Sequence, residues 1–448
     1  MLARTAVSLL TVSAAFAATI SDRHESSALT SSSIIIAKKI RKCHSSSPPP
    51  PPTVYFPLNF RYGPDQKITT DLVIPGSNKT MPVCFDQGSE TFWLLGPGGM
   101  FNWGSDQLGL PGPCNASAAP VYEYAASPDS TDPAPFDYAA AYGGFAKIVV
   151  GNATVSDTLT FTSVSGQRST IPGLNTALVN LIIERIPDTS GRCELADDIT
   201  YDVGILGVAP YVNNTDHQTG RPHVRQQLLE QGNIKAPVQS MWMDKPPEGV
   251  EDTYTGGAIF GGIDLSKFTG PLVKVRSFKN EGDSVGYYVA PPTLSFQGKK
   301  IKTSGANTGG CFVDSGTRND ALPIAYEDQE AFFKTTGIVE SPLGHISWPG
   351  ACESVPSDVT LDMRFPGVKN GTFVDIKVPL KNYVRADSGE EGLCRLNMYL
   401  YGCTLAAPFS TAAFFAADDE RGEVAFAQGG ISERGSGPTK KSIVLRIP

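Results

Sequence analysis

The chain is poor in charge, in histidine and in long apolar runs. Only 18% of its 448 residues are charged, and five are histidine. The net charge is −8, and the one short basic cluster is at residues 38–42, which argues against nucleic acid as a partner. Beyond residue 18 no segment approaches the ~20 apolar residues of a membrane span. The mixed residues 440–448 do not resemble a lipid-anchor signal.

Paired-cysteine motifs are also missing. No two of the eight cysteines form C-x-x-C, so the sequence suggests no zinc site, and we predict no metal and no cofactor. An even number of cysteines without metal spacing fits disulfides in an oxidising compartment. The sequence alone does not choose among the possible pairings. The eight are Cys43, Cys84, Cys114, Cys193, Cys311, Cys352, Cys394 and Cys403.

The N-terminus has the pattern of a secretory signal. Arg4 precedes an apolar, small-residue stretch at 6–18, and Ala15-Phe16-Ala17 is an A-x-A-type cleavage site. We therefore predict a signal peptide at 1–18 and a secreted protein, with an acidic vacuole as the alternative. Five N-x-S/T sequons behind such a signal predict glycosylation of some of them. They lie at Asn78, Asn115, Asn152, Asn213 and Asn370.

Composition changes sharply near residue 54. Residues 19–53 are mostly polar and end in an unbroken proline run at 48–52, which indicates an extended leader or stalk. From residue 54 onward, short apolar runs alternate with Gly, Pro, Asn and Asp. Such spacing predicts an all-β body, with strands at 54–60, 159–164 and 287–289. Helices are expected only at 225–231 and 327–335.

One motif occurs twice, about half a chain apart. Residues 83–89 and 311–317 each have an apolar run, an Asp, a polar residue, Gly, and Ser or Thr. A buried strand that turns at Gly would place Asp86 and Asp314 at loop tips. If the two carboxylates faced each other, they could not both ionise easily, so one would stay protonated while the other acts as a base. Such a pair can activate water against an amide. The supporting loop residues are Gln87, Gly88, Ser89, Ser315, Gly316 and Thr317.

With these motifs in family order, the chain resembles a pepsin-like aspartic protease of the fungal secreted type. The resemblance implies a two-lobed β-barrel fold with the active-site cleft between an N-terminal lobe at 54–255 and a C-terminal lobe at 256–430, followed by a tail at 431–448. It implies cleavage of peptide or protein substrates at acidic pH, by a monomer. The segments that carry it are 85–93, 202–208, 256–264, 268–270, 312–317 and 409–428.

The resemblance also implies roles for single residues. Ser89 and Thr317 would hydrogen-bond the outer carboxylate oxygens. A mobile hairpin would present Tyr142 and Gly143 over the cleft, with Tyr138 as a rival tyrosine and Trp93 bonded to or packed against the tyrosine. Cys352 and Cys394 occupy the positions of the family's second-lobe disulfide. Cys311 and Cys403 lie near the second loop and the segment behind it, and we hypothesise that they pair.

Three positions depart from the family pattern. Gln87 replaces a Thr or Ser whose hydroxyl bonds across to the opposite loop. Thr404-Leu405-Ala406-Ala407 replaces an apolar-apolar-Gly-Asp segment, and Ala406 adds a methyl where the backbone is expected to be closely packed. Phe145 and Lys147 follow Tyr142 in place of small acidic or hydroxyl residues. These departures motivate an alternative, a catalytically weak or inactive relative that binds a protein or glycan.

A serine hydrolase is a further alternative, because residues 282–286 fit G-x-S-x-G. A nucleophile elbow needs a buried strand before it and a helix after it. The preceding residues 277–281 are too polar, and residues 287–289 look like a strand. We interpret this motif as a turn.

Overall fold

The computed structural model describes residues 52–62, 66–143, 146–188, 191–194, 201–210, 222–246, 253–278, 286–303, 309–385 and 390–448. Residues from Pro49 to Pro448 form one compact unit. The predicted signal peptide, almost all of the leader, the Asn213 sequon and residues 282–285 lie outside the described residues. Across the described part of the chain, no helix combines the length and the apolar composition that crossing a membrane requires.

Strands dominate the described residues, which confirms the all-β prediction. The first fifteen are β1 Val54–Arg61, β2 Ile68–Val73, β3 Thr80–Asp86, β4 Phe92–Trp103, β5 Cys114–Ser117, β6 Ala134–Tyr142, β7 Lys147–Thr162, β8 Arg168–Glu184, β9 Gly204–Gly207, β10 Val238–Met243, β11 Thr253–Phe260, β12 Ile263–Asp264, β13 Thr269–Val275, β14 Ser277–Phe278 and β15 Tyr287–Val289. The others are β16 Thr293–Phe296, β17 Lys299–Ile301, β18 Cys311–Val313, β19 Asp320–Leu322, β20 Val339–Glu340, β21 Ile346–Pro349, β22 Thr360–Pro366, β23 Phe373–Pro379, β24 Val384–Arg385, β25 Leu393–Leu396, β26 Met398–Leu400, β27 Thr404–Leu405, β28 Ala413–Asp418, β29 Glu423–Gln428 and β30 Ile443–Val444.

Helices are short and few among the described residues. They are α1 Val224–Glu230, α2 Gln329–Thr336 and α3 Ala407–Ala412. Both helices expected from the sequence are present, within two residues of the predicted starts. Single 3₁₀ turns cover Tyr124–Ala126, Tyr326–Asp328, Cys352–Ser354, Leu380–Tyr383 and Lys440–Ser442.

A closed six-stranded barrel occupies the first half of the chain. Its strands follow the order β2-β3-β9-β4-β8-β7, and β7 returns to β2 through the pairs Asp71↔Thr162 and Leu72↔Phe161. The long strand β7 alternates between buried and partly exposed positions, because successive side chains point to opposite faces of a strand. Val149, Val155 and Phe161 thereby face the barrel core.

The barrel continues into a sheet that reaches the second half of the chain. Strand β1 lies between β2 and β11, and β10, β28, β29 and β13 extend the sheet beyond β11. The second half adds three smaller sheets, in the orders β14-β15-β18-β27-β19-β26, β17-β16-β22-β23 and β20-β21-β25-β24, and β12 pairs with β30. The predicted boundary at 255/256 falls within β11, and the division into two lobes stays a prediction.

Three disulfides cross-link the described residues. Cys352–Cys394 and Cys311–Cys403 are both present, as predicted, and Cys114 pairs with Cys193. Cys84 is buried within β3, and Cys43 lies outside the described residues.

Candidate active site

The first aspartate loop follows a buried strand. Strand β3 ends at Asp86 and runs parallel to β9, with Phe85 opposite Leu206. The N–H of Val208 donates to the Asp86 carbonyl at 2.8 Å, and the N–H of Ala209 donates to the Ser89 carbonyl at 2.9 Å. The segment behind the loop therefore fixes the backbone on both sides of the turn.

The second loop has the same construction. Strand β18 precedes Asp314 and runs parallel to β27. The Asp314 N–H donates to the Leu405 carbonyl at 2.9 Å, and the Ala407 N–H donates to the Thr317 carbonyl at 3.0 Å. The Cys311–Cys403 disulfide joins the strand to the segment behind it. The repeated motif thus corresponds to a repeated piece of structure.

The segment behind the second loop accommodates its alanine. Ala406 is fully buried, with φ −95° and ψ −157°, an extended conformation open to any L-residue. The first half differs, because a Cβ at Gly207 would lie 2.5 Å from the backbone N of Thr91. Glycine is therefore required at 207 but not at 406.

Each aspartate lies against the glycine of the opposite loop. A Cβ at Gly88 would lie 2.8 Å from Cγ of Asp314, and a Cβ at Gly316 would lie 2.5 Å from Oδ1 of Asp86. Contacts this short admit no side chain at either position. The structure thereby brings together the two carboxylates that the sequence places half a chain apart.

Each carboxylate accepts matching hydrogen bonds from its own loop. Oδ1 of Asp86 accepts from the Gly88 N–H at 2.8 Å, and Oδ2 accepts from the Ser89 hydroxyl. Oδ1 of Asp314 accepts from the Gly316 N–H at 3.0 Å, and Oδ2 accepts from the Thr317 hydroxyl at 2.7 Å. These bonds fix the orientation of both carboxylates.

The environment of Asp86 favours its protonated form. Burial, and then the negative charge of Asp314, raise the pKa of the Asp86 carboxyl well above its usual range, although the Ser89 and Gly88 donors lower it. Two adjacent carboxyls in such a site hold one proton between them across the acidic range. The pair can therefore supply one acid and one base at the same pH.

A serine hydroxyl joins the two loops. The Ser315 hydroxyl donates to the Phe85 carbonyl at 2.6 Å and accepts from the Gln87 N–H at 3.2 Å. The Gln87 side chain is 0% exposed, and within the described residues neither of its amide atoms has a hydrogen-bond partner. The Ser315 hydroxyl thus bridges the two loops from one side, and from the other the Cys84 thiol donates to the Gly316 carbonyl at 3.8 Å.

The β6–β7 hairpin carries the predicted tyrosine. Tyr142 ends β6, Gly143 follows with φ 55°, and residues 144–145 lie outside the described residues. The Trp93 indole N–H donates to the Tyr142 hydroxyl at 2.8 Å, and the Tyr138 hydroxyl lies 3.2 Å from the same oxygen. Burial, then Tyr138 and more weakly the charge of Asp86, raise the pKa of Tyr142. The hairpin tyrosine is therefore kept neutral, and its hydroxyl lies close enough to Asp86 to respond to that charge.

A buried ion cluster next to the turn of this hairpin has no signature in the sequence. Lys67 contacts both oxygens of Asp202 at 2.7 and 2.8 Å, Lys147 contacts Asp202, and Glu184 lies 3.9 Å from Lys147. Although burial opposes ionisation, the charges of Lys147 and Lys67 hold the pKa of Asp202 below its usual range. The four chain segments that meet here are too far apart in sequence for spacing to reveal them.

Asp320 was also missed by the sequence analysis. It is fully buried six residues after Asp314, accepting from the Tyr383 hydroxyl at 2.7 Å and from the Ala406 N–H at 2.6 Å. Burial raises the pKa of Asp320 to about 7 despite these donors. This carboxyl links the second loop to the segment behind it.

We expect Asp320 to make the fold more stable in acid than at neutral pH. The pKa of Asp320 in the folded protein lies above its unfolded value of ~3.9. Its contribution to the free energy of unfolding is therefore fully present below pH ~4 and is lost as pH rises toward 7, by about 1.4 kcal/mol per pH unit. The Asp320→Asn variant mimics the protonated group and should lose less stability between pH ~4.5 and ~7.5. Thermal unfolding of both proteins at the two pH values measures this difference.

The comparison must be between variants, because other groups titrate in the same window. Burial lowers the pKa of His223 to about 3, which contributes stability in the opposite direction. Asp375→Asn, which alters an exposed carboxyl paired with Arg364, is the matched control. Equal pH dependence of Asp320→Asn and wild type would contradict the assignment.

The four described sequons are all exposed. Asn78, Asn115, Asn152 and Asn370 lie at the surface, although the Asn115 side-chain oxygen also accepts from Asn102 at 2.9 Å. Their glycosylation stays a prediction.

Comparisons with known proteins agree with this geometry. A family model described as eukaryotic aspartyl protease matches residues 147–427, more than half of the chain. The match includes the Asp314 loop and begins after the Asp86 loop. The chain is also similar to two proteins named probable aspartic-type endopeptidase CTSD. One is from Trichophyton verrucosum (25% identical over 205 residues) and one from Arthroderma benhamiae (26% over 207). Each alignment covers 46% of this chain and 35% of the relative's length.

Proposed function

The chain belongs to the eukaryotic aspartyl protease family, and on that premise we propose that it is an aspartic endopeptidase whose water-activating pair is Asp86 and Asp314. The observation that carries the proposal is the reciprocal packing of each carboxylate on the glycine of the opposite loop. Matching hydroxyl and N–H donors on both loops support it. The names of the two fungal relatives point to the same reaction class.

Burial and the neighbouring charge of Asp314 favour Asp86 as the member of the pair that holds the shared proton. In the proposed mechanism Asp314 takes a proton from a water held between the two groups, and the water oxygen attacks the scissile carbonyl carbon. Asp86 gives its proton to the carbonyl oxygen, and a tetrahedral diol forms. The diol collapses as the C–N bond breaks. Asp314 gives the proton it took from water to the leaving nitrogen, and Asp86 takes a proton from one diol hydroxyl as the carbonyl re-forms, which restores the pair. General acid–base steps of this kind contribute about 10²–10⁴-fold each.

The β6–β7 hairpin and the two aspartate loops fit an extended peptide as the substrate. Trp93 donates to the Tyr142 hydroxyl, whose pKa responds to the charge of Asp86, and Gly143 follows Tyr142 in the chain. In the proposed enzyme this hairpin covers bound substrate and excludes water from the reacting bond, which strengthens every charge interaction inside. We propose that the protein acts as a monomer.

We also propose that the protein is secreted, or delivered to an acidic vacuole. The predicted signal at 1–18, the exposed sequons and the three disulfides support an oxidising compartment. An acidic destination would suit a carboxyl pair that shares one proton.

We expect a bell-shaped pH dependence of peptide cleavage with an acidic maximum. As pH rises through the raised pKa of Asp86 the acid is lost, and in strong acid the base is protonated, so the rate falls on both sides. The measurement is kcat/KM for a quenched peptide from pH about 2 to 8, with and without a statine-type transition-state mimic. A rate that keeps rising above neutrality would contradict the dyad mechanism.

The same assay tests the alternative of a non-catalytic binding protein, which the departures at Gln87 and Ala406-Ala407 motivate. Such a protein would bind the mimic or a peptide in the cleft without cleaving it. Binding detected by calorimetry, with no cleavage at any pH, would favour that alternative.

A further inference from the structure

We infer that Gln87 leaves the two active-site loops joined by one hydroxyl bridge instead of two, and that Gln87 is therefore the positioning residue that limits the mutual rigidity of Asp86 and Asp314. The expected effect on catalysis rests on the proposed function. The structural inference, that one of two possible hydroxyl bridges between the loops is missing, does not rest on it.

The bridge that is present belongs to Ser315. Its hydroxyl donates to the Phe85 carbonyl at 2.6 Å and accepts from the Gln87 N–H at 3.2 Å, so one side chain spans both loops. Two further connections contain no side-chain hydroxyl: the Cys84 thiol donates to the Gly316 carbonyl at 3.8 Å, and the Ile68 N–H on β2 donates to the Ser315 carbonyl at 3.3 Å. Ser315 is completely buried, so water does not compete for its hydroxyl.

The missing bridge follows from the symmetry of the two loops. Gly88 packs against Asp314, and Gly316 packs against Asp86 in the same way. By this symmetry, residue 87 occupies the position relative to Val313 that Ser315 occupies relative to Phe85. A hydroxyl on Cβ of residue 87 would face the Val313 carbonyl and the Ser315 N–H. The polar atoms of glutamine lie three bonds beyond Cβ instead of one, and the longer side chain cannot reproduce that short bridge.

The glutamine amide also carries a cost of its own. Both of its amide atoms are buried without a hydrogen-bond partner in the described residues, and the side chain is 0% exposed. A buried polar group without a partner loses its hydration and gains nothing in return. Two separate effects are therefore expected at this position: an unfavourable buried amide and an absent bridge.

Two substitutions separate these effects. Gln87→Met keeps the length and removes the amide, whereas Gln87→Thr removes the amide and supplies the hydroxyl. Both should raise the midpoint of thermal unfolding, by about 1–3 °C. Only Gln87→Thr should raise kcat for peptide cleavage, by roughly 3–10-fold with little change in KM, because only it restores the bridge. An equal rise in kcat for both variants would overturn the positioning role.

A double-mutant cycle with Ser315→Ala tests the clamp itself. In the wild-type background Ser315→Ala removes the one hydroxyl bridge, and we expect kcat to fall about 10-fold and the unfolding midpoint to drop. In the Gln87→Thr background the second bridge remains, and both losses should be clearly smaller. Identical losses in the two backgrounds would refute the inference.

The two readouts keep this inference apart from the proposed function. If no variant cleaves peptide, the proposed function fails, and the unfolding cycle still decides whether the bridge is missing. If Ser315→Ala does not fold, the comparison of Gln87→Thr with Gln87→Met in unfolding and kcat decides alone.

Discussion

Replacing Asp314 by asparagine should lower kcat/KM for peptide cleavage by about 10³-fold or more. The substitution keeps the shape of the group and can keep the bond from Thr317, but it removes the carboxylate that takes the proton from water. Asp86→Asn should have a similar effect, because asparagine cannot pass a carboxyl proton to the substrate carbonyl. The measurement is single-turnover and steady-state cleavage at the pH maximum, with the unfolding midpoint recorded for each variant.

The matched control is Asp375→Asn, which makes the same chemical change at an exposed carboxyl. It should leave kcat/KM unchanged. A double variant, Asp86→Asn with Asp314→Asn, should have about the same kcat/KM as either single variant, since the two groups act as one unit. Wild-type cleavage no faster than that of the single variants would remove the enzymatic proposal.

Replacing Arg225 by methionine should reduce the free energy of unfolding by about 3–5 kcal/mol. The guanidinium is fully buried, pairs with Asp419 at 2.5 Å, and donates to the Ala209 carbonyl at 2.9 Å and the Tyr287 hydroxyl at 2.7 Å. The large loss is expected because the variant leaves the Asp419 charge buried without the cation. Urea-induced unfolding followed by tryptophan fluorescence measures it.

The partner variant separates charge burial from packing. Removing both charges, with Arg225→Met and Asp419→Leu, should recover a good part of the loss, because an apolar pair of similar volume leaves no buried ion. Strict additivity of the two single changes would contradict the assignment of the loss to an uncompensated charge.

The Arg225 bonds to the segment behind the first loop also predict that Arg225→Met lowers cleavage more than its stability loss alone explains.

The sequence was sufficient for the parts of this protein that depend on local pattern. Period-two alternation predicts strands such as β7, because one face of that strand is buried. The same pattern also located β1, although Phe56 to Phe60 are buried on both faces. The repeated Asp–x–Gly motif predicted a facing pair, since an apolar run before it and a glycine after it specify a strand and a tight turn. The pairings Cys352–Cys394 and Cys311–Cys403 could be proposed from a resemblance and from proximity to one loop.

Features that depend on tertiary packing could not be predicted in this way. The Lys67–Asp202–Lys147 cluster and the Arg225–Asp419 pair join residues from distant segments, and no spacing rule connects them. From its sequence position Gln87 was recognised as a departure, but only the structure shows that its buried amide has no hydrogen-bond partner among the described residues. The raised pKa of Asp320 likewise follows from desolvation, which the identity of neighbouring residues in the chain does not report.

The position of β1 limits where the N-terminal region of this protein can be processed. All eight of its residues pair with β11, from Val54↔Phe260 to Arg61↔Thr253, and its other edge contacts β2. Processing upstream of Val54 leaves this ladder whole. Proteolytic removal of residues 54–61 would expose two unpaired strand edges in the middle of the sheet, and edges of that kind invite association with other chains. We therefore expect a cut that removes residues 54–61 to yield a product prone to associate with other chains.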